Sequence, residues 1–483
     1  MRRIRVVILA LALSLLALPP AAPTSAATYP PLAVRVAQAG VVTITDAQLA
    51  RAGWTLPLPR DCVTLSHQGQ PLPLADSGIS FAFLVLPNES RWTSEAVYWL
   101  SVGSSPAPRS SLPSRLPTPL TWEPETLYDR HQATRRGDSW WAGSLASGQP
   151  LHAMLVLPEA ISSGTPLQLH LRATAARDGH AVAALADGVP IGAVRWDDGS
   201  ATTLPVTGTL QLPAHAAGAL RLDLVLLATG DAPILLDDLV LPTVFPPALP
   251  IPGADPVPAT PLPADAAGAD LLILTHAAFR PALDPLIAAP ARLGQRVAVA
   301  DVQAAYDTFS FGERDPEAIR TLIRQSRPRA VLLVGAGTVA LRQDAPARPT
   351  FIPPYLIRTV LDGETACDTC YARLNAGEPL AQLLPDLPLG RLVVSTLAEA
   401  QAVVAKIAAY LTAPPAGAWQ TQALLLSDND VQPDGTRDPA GSFVATAETA
   451  AAALPVGMRA ALLLRTRSAE LGVIHPRRGD AAL

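Results

Sequence analysis

The sequence predicts a multidomain fold: an N-terminal β-rich domain, then a β-sandwich, then an α/β domain with a parallel sheet. Three observations predict it. Short alternating apolar runs punctuated by Gly and Pro fill the first half, as half-buried strands do. Proline then recurs every few residues across 245–263, with Ala and Gly between, the composition of a stiff extended connector. Beyond it, strand-like and helix-like patterns alternate, as in a parallel sheet covered by helices. A chain of 483 residues also exceeds one ordinary core, since domains run to roughly 100–200 residues.

The first element serves export. Arg2, Arg3 and Arg5 precede an apolar run over 6–18, followed by Pro19, Pro20 and small residues through Ala27. This is the order of a signal peptide, with cleavage expected near Ala26 or Ala27. Proline breaks the run short of the ~20 apolar residues that a membrane helix needs. Residues 1–27 therefore read as a removable signal, and the protein as secreted or displayed at the cell surface, with no membrane span after cleavage.

The N-terminal β-rich domain is assigned to 28–118. Leu32-Ala-Val-Arg-Val36 and Val41-Val-Thr-Ile-Thr45 alternate as strands do, and Asp46 to Gly53 reads as one short helix, with Asp46 as N-cap and Gly53 as stop. A Pro/Ser stretch over 104–119 marks its end. The second domain, 119–245, repeats strand-like runs around Leu167–Leu171, Leu220–Leu226 and Ile234–Leu241, with Asp187-Gly188 and Asp198-Gly199 as turns. A β-sandwich is expected, and the order of motifs resembles the jelly-roll modules found beside many secreted enzymes. Paired acids at a strand end bind calcium or sugar in such folds, so Asp237 and Asp238 are candidates for calcium; solvated turn chemistry is the competing reading.

After the linker, 246–268, the α/β domain is assigned to 269–458. Asp270 to Thr275 is a strand, 279–293 a helix, Arg296 to Ala300 a strand, and Asp315-Pro316 opens a helix as N-cap and first residue. Ala330 to Val334 is a continuous apolar run, as in a strand buried on both faces.

Composition bounds the partners. With 49% hydrophobic and 16% charged residues the chain buries large cores. A net charge of -5 supplies no basic surface for nucleic acid or an acidic membrane.

In the α/β domain the residues resemble the gingipain family of secreted cysteine peptidases. The resemblance runs through Leu271-Leu-Ile-Leu-Thr275, Gly294-Gln-Arg-Val297, Asp315-Pro-Glu-Ala-Ile-Arg320 and Val331-Leu-Leu-Val-Gly335. It is sharpest at Asp368-Thr-Cys-Tyr-Ala372 and Pro385-Asp-Leu-Pro-Leu-Gly-Arg391, followed by a long helix through Lys406 and Tyr410 and then Trp419. It implies a caspase-like three-layer α/β fold in two subdomains, and peptide-bond hydrolysis by a thiol, a histidine base in a Gly-His-Gly turn and an orienting acid. A thiol attacks as thiolate, which is why it needs the imidazole beside it. By the same resemblance the strand Ala423 to Ser427 opens the second subdomain and delivers the acid, placing Asp430, or less favourably Asp428, in that role. No nucleophile and no Gly-His-Gly turn follow. Residues 459–483 depart from the family pattern as an atypical tail, so the domain reads as incomplete and the chain as truncated and inactive, with a natural but divergent terminus as the alternative. Protein or peptide substrates are the partners of a full-length active form. Ala336 stands where the family commonly has an acid. The alternative is a secreted, non-catalytic binding or adhesion protein using its β-modules.

Other constellations are poorer. Three cysteines are an odd number for an exported protein: Cys367 and Cys370 are expected as a short-loop disulfide, leaving Cys62. No second CxxC or His pair completes a zinc set, so no metal or other cofactor is expected beyond the calcium candidate. His276, at the end of the first α/β strand, is the histidine of that domain ahead of the tail; a strand-end position can face a cleft, but simple hydrogen bonding is the expected role. Gly179-His180 reads as a hairpin corner, and His67, His131, His152, His170 and His215 form no ligand set. Val334-Gly-Ala-Gly337 lacks the third glycine or lysine of a nucleotide loop. Trp140, Trp141, Trp122 and Trp196 read as sandwich core rather than as a sugar platform.

Overall fold

The fold is a computed structural model that describes residues 29–465 and 471–474, apart from 108, 147, 175–179, 197–202, 228–233, 253–254, 343–348, 376–383, 429–430, 433–434 and 440. It divides into two compact units, one ending at Val403 and one starting at Val404. Among the described residues no helix is long and apolar enough to cross a membrane.

The first unit opens with the β-rich module. Its main sheet runs in the order Val257–Pro258, Leu32–Val36, Ala96–Val102, Val63–His67, Gln70–Leu72, beside a smaller sheet of Gly40–Thr45, Ser80–Val85 and Ala75–Asp76. Leu32, Val34, Ile44, Phe81, Phe83 and Tyr98 fill the core between them. The expected short helix is present as Asp46–Arg51, but Thr45 caps it: its hydroxyl accepts from the Gln48 N–H and Gln48 answers on the Thr45 N–H, a capping box. Asp46 sits in the first turn instead, where its charge suits the helix dipole.

The proline-rich linker is extended, as expected, but it is bound. Val257–Pro258 adds an edge strand to Leu32–Val36, and the Val41 N–H donates to Leu249 O at 2.8 Å while the Ile251 N–H donates to Val41 O at 3.0 Å. Proline lacks a ladder donor, so an edge is the place where a sheet tolerates it.

The second module is a sandwich. Gly143–Leu145, Ile234–Leu241, Thr165–Thr174 and Thr203–Leu212 form one sheet, joined by Leu120–Trp122, and Leu151–Leu157, Gly218–Leu226, His180–Ala186 and Val189–Trp196 form the other. Leucines from both inner faces make its core. Asp187 and Gly188 both take positive φ, 47° and 82°, the backbone of a type I′ hairpin turn; Asp198-Gly199 lies outside the described residues. His180 begins the strand His180–Ala186 and pairs with Trp196, and Gly179 lies outside the described residues. Trp141 is buried in the core at 1% exposure, and Trp122 and Trp196 pack against it.

The third module carries the parallel sheet, in the order Val297–Asp301, Leu271–Thr275, Val331–Val334, Leu389–Leu392. Leu272 and Leu274 join a cluster with Ala305, Ile319, Leu322 and Ile323 from the helices Val302–Phe309 and Pro316–Ser326. Ile273 points the other way and is equally buried. The helix expected over 279–293 is split: Ala277–Ala282 is a 3₁₀ turn and Asp284–Ala291 an α-helix with proline in its first turn, because Pro281 and Pro285 remove the N–H groups that one continuous helix would need. Asp315 caps Pro316–Ser326 as expected, accepting from the Glu317 N–H at 2.8 Å.

In the second unit, Gln422–Ser427 pairs in parallel with Arg459–Arg465, which pairs antiparallel with Leu471–Ile474. The stretch expected as an atypical tail therefore begins with a sheet strand. Its apolar run Ala460 to Leu464 suffices to sit beside Leu424 and Leu426, despite the arginines at both ends.

Candidate active site

Open α/β sheets bind ligands beyond the carboxyl ends of their strands, so that edge is where the site is built. The first strand ends at Thr275, and His276 turns the chain into the 3₁₀ segment. Its Nδ1 accepts from the Ala278 N–H at 3.1 Å, which leaves the ring proton of the neutral imidazole on Nε2. Burial lowers its pKa; Asp301 opposes that and Arg314 adds to it. His276 packs edge-on against Phe351, with ring centroids 5.2 Å apart.

The third strand ends in Val334-Gly-Ala-Gly337, whose glycines serve packing. A Cβ on Gly335 would lie 2.9 Å from the Phe351 Cβ, and one on Gly337 2.3 Å from Ile352 O. The N–H groups that would cradle a phosphate are committed, Gly335 to Leu392 O and Ala336 to Val394 O. Ala336 is buried, at 5% exposure.

The two sharpest motif segments meet here. Arg391, at the end of the fourth strand, pairs with Asp368 through Nε at 2.6 Å and Nη2 at 2.7 Å, and donates to Gly335 O, Ile352 O and Pro353 O. Cys367 and Cys370 form the expected disulfide. Cys370 and the neighbouring Tyr371 are fully buried, and the Tyr371 hydroxyl donates to Pro353 O at 2.7 Å. The Asp368-Thr-Cys-Tyr-Ala372 turn is thus a brace for the strand ends. The remaining thiol, Cys62, is half-buried in the N-terminal module, and among the described residues no histidine is bonded to a cysteine. Asp430, the expected orienting acid, lies outside the described residues; Asp428 is exposed just past the strand Gln422–Ser427.

The sandwich acids are not at a strand end. Asp237 and Asp238 sit within Ile234–Leu241, where the register shifts so that His170 faces Asp238 and Leu171 faces Leu236. This bulge turns two consecutive residues to the same side, away from Leu236 and Leu239 in the core. Both are buried, at 4% and 1% exposure, so solvated turn chemistry does not describe them. Their carboxylates lie with that of Glu123 within 4.8 Å of one another. Protein groups already engage all three: the Arg135 guanidinium and the His170 ring on Asp238, the Arg135 backbone N–H on Asp237 at 2.9 Å, and the Arg136 guanidinium on Glu123 at 2.6 and 2.7 Å. Burial pushes Glu123 up to about 7 against the pull of Arg136.

Sequence reasoning missed two junction residues. Glu364 is buried between Arg91 and Tyr128, and Arg342 binds Glu125 at 2.9 Å along with carbonyls of the N-terminal module. Both stand in segments without periodicity, so no pattern marks them.

Comparison with known proteins agrees with this geometry. Residues 264–468 match the model of peptidase family C25. No curated protein sequence matches the chain. Among solved structures, dimeric latent PorU from Porphyromonas gingivalis aligns with a TM-score of 0.56 at 17% identity, over 81% of this chain and 50% of that one. This chain thus spans half the length of that one, and such a likeness shows shared fold alone. A cycloisomaltooligosaccharide glucanotransferase from Paenibacillus sp. aligns at TM-score 0.19 and 18% identity, over 25% of this chain and 18% of that one. A family 35 carbohydrate binding module from an environmental isolate aligns at 0.21 and 14%, over 29% of this chain and 97% of that one. Both are too loose to carry an argument. Over residues 264–468 the chain is similar to the gingipain family of peptidases, family C25.

Proposed function

We propose that this chain is an exported, gingipain-like cysteine-type peptidase component that presents two β-modules and the first subdomain of a caspase-like catalytic domain, directed at protein or peptide substrates. The family C25 match across the parallel sheet and its Asp368–Arg391 brace carries the reading. The reaction is acyl transfer: a thiolate adds to the peptide carbonyl, the amine leaves with a proton from the imidazole, and water then releases the acid. Asp430, or Asp428, orients the imidazole in this scheme.

Among the described residues no cysteine is paired with a histidine for this step. Cys367 and Cys370 are joined to each other, and Cys62 belongs to the N-terminal module. Without a sulfur and an imidazole brought together, at most background hydrolysis from residual binding is expected. The expected outcome is that purified, sequence-verified protein does not cleave fluorogenic peptides, with or without iodoacetamide; alkylation-sensitive turnover would overturn this. Reading the coding DNA past codon 483 tests the family role. A Gly-His-Gly codon run followed some tens of residues later by Cys supports the peptidase, and unrelated sequence favours binding or adhesion through the β-modules.

A further inference from the structure

We propose that Arg342 is a positioning residue through which both β-modules hold the segment that follows the third sheet strand. Arg342 belongs to the α/β module, yet among the described residues the partners of its guanidinium lie in the β-modules. Nη1 donates to Asn88 O at 2.9 Å, to Thr93 O at 3.0 Å and to Ser90 O, all in the N-terminal module, and Nε donates to Glu125 Oε1 at 2.9 Å in the sandwich. The side chain is 13% exposed. Three converging, partly buried carbonyls need donors, and the two N–H groups of Nη1 are shared among them while Nε faces a carboxylate.

The receiving turn also has hydrogen bonds of its own. Asn88 Nδ2 donates to Glu95 O at 2.7 Å, the Ser90 N–H donates to Asn88 Oδ1 at 2.8 Å, and the Glu95 N–H donates to Thr93 Oγ1 at 3.0 Å. Two further bonds grip the same segment: Trp140 Nε1 of the sandwich donates to Val339 O at 3.0 Å, and Arg314 Nη1 donates to Leu341 O at 3.2 Å. The held segment in turn shapes the carboxyl edge of the sheet. The Thr338 N–H donates to Thr350 Oγ1, and the Phe351 and Ile352 N–H groups donate to Ala336 O; Phe351 is the ring against His276. The clamp runs from two β-modules to the wall beside His276. Its catalytic purpose rests on the peptidase reading; its existence does not.

Hydrogen exchange on the intact chain tests the clamp without any cleavage assay, so it fails or stands apart from that reading. In Arg342→Ala the amides of Thr338, Phe351 and Ile352 are expected to exchange about tenfold faster, with those of Thr165–Thr174 unchanged, because only local opening is made easier. Trp140→Phe, which removes one of the bonds, is expected to give a smaller increase at the same amides. Arg115→Ala, breaking the exposed pair with Glu159, is expected to give none. Unchanged protection at the three amides in Arg342→Ala, or equal acceleration throughout the molecule, overturns the proposal. Should Arg342→Ala fail to fold, Trp140→Phe is judged by the same criterion.

Discussion

Arg391 uses all five of its N–H donors, two on Asp368 and three on backbone carbonyls. It is 9% exposed, so truncation leaves buried acceptors without donors. Arg391→Ala is expected to cost about 3–5 kcal/mol in denaturant unfolding. Arg391→Lys should recover only part of that, since an ammonium cannot reproduce the planar fork. His276 gives a pH signature. Its folded pKa lies below the unfolded value, so the unfolded chain binds the proton more readily. Its contribution is therefore full above about pH 6.5 and is lost as pH falls through the lower folded value. His276→Asn, which keeps a capping acceptor, should show a smaller drop in Tm between pH 7.5 and pH 5 than the parent protein; equal drops would refute the assignment.

At the level of elements, backbone crowding separates glycines that look alike in sequence. A Cβ on Gly337 meets Ile352 O at 2.3 Å, whereas one on Gly390 meets only Leu332 Cδ1 at 3.9 Å. Gly337→Ala must displace backbone and is expected to lower Tm by several degrees, as a loss of about 2 kcal/mol does; Gly390→Ala is expected to be near neutral. The helix Pro316–Ser326 depends on Asp315 for one of its first N–H groups, and Asp315→Ala is expected to cost about 1 kcal/mol by denaturant titration.

Across the whole molecule the two units differ in how much they bury. The first holds three apolar clusters. In the second, among the described residues, Val404 and Ala447 are the buried hydrophobics, while Leu424 and Leu426 are 65% and 67% exposed. Burial is what offsets the chain entropy of folding, so the second unit is marginal by itself. Limited proteolysis is expected to cut beyond about Pro414 first and leave the first unit resistant; a protected, cooperatively unfolding second unit would contradict this.

What the sequence determined by itself is local. Period-two alternation placed the strands of both β-modules, the Asp315-Pro316 pair placed a helix start, and the three-residue spacing of Cys367 and Cys370 gave a disulfide. The segments around Asp368 and Arg391 gave the family resemblance, because their order along the chain is as readable as their identity. Tertiary structure decided what depends on residues far apart in sequence. A one-residue register shift buried Asp237 and Asp238 in a bulge, a free edge turned a proline linker into a strand, and Arg342 found its acceptors some 250 positions away. Periodicity reports which face of an element is apolar, whereas a guanidinium meeting three distant carbonyls leaves no periodic trace.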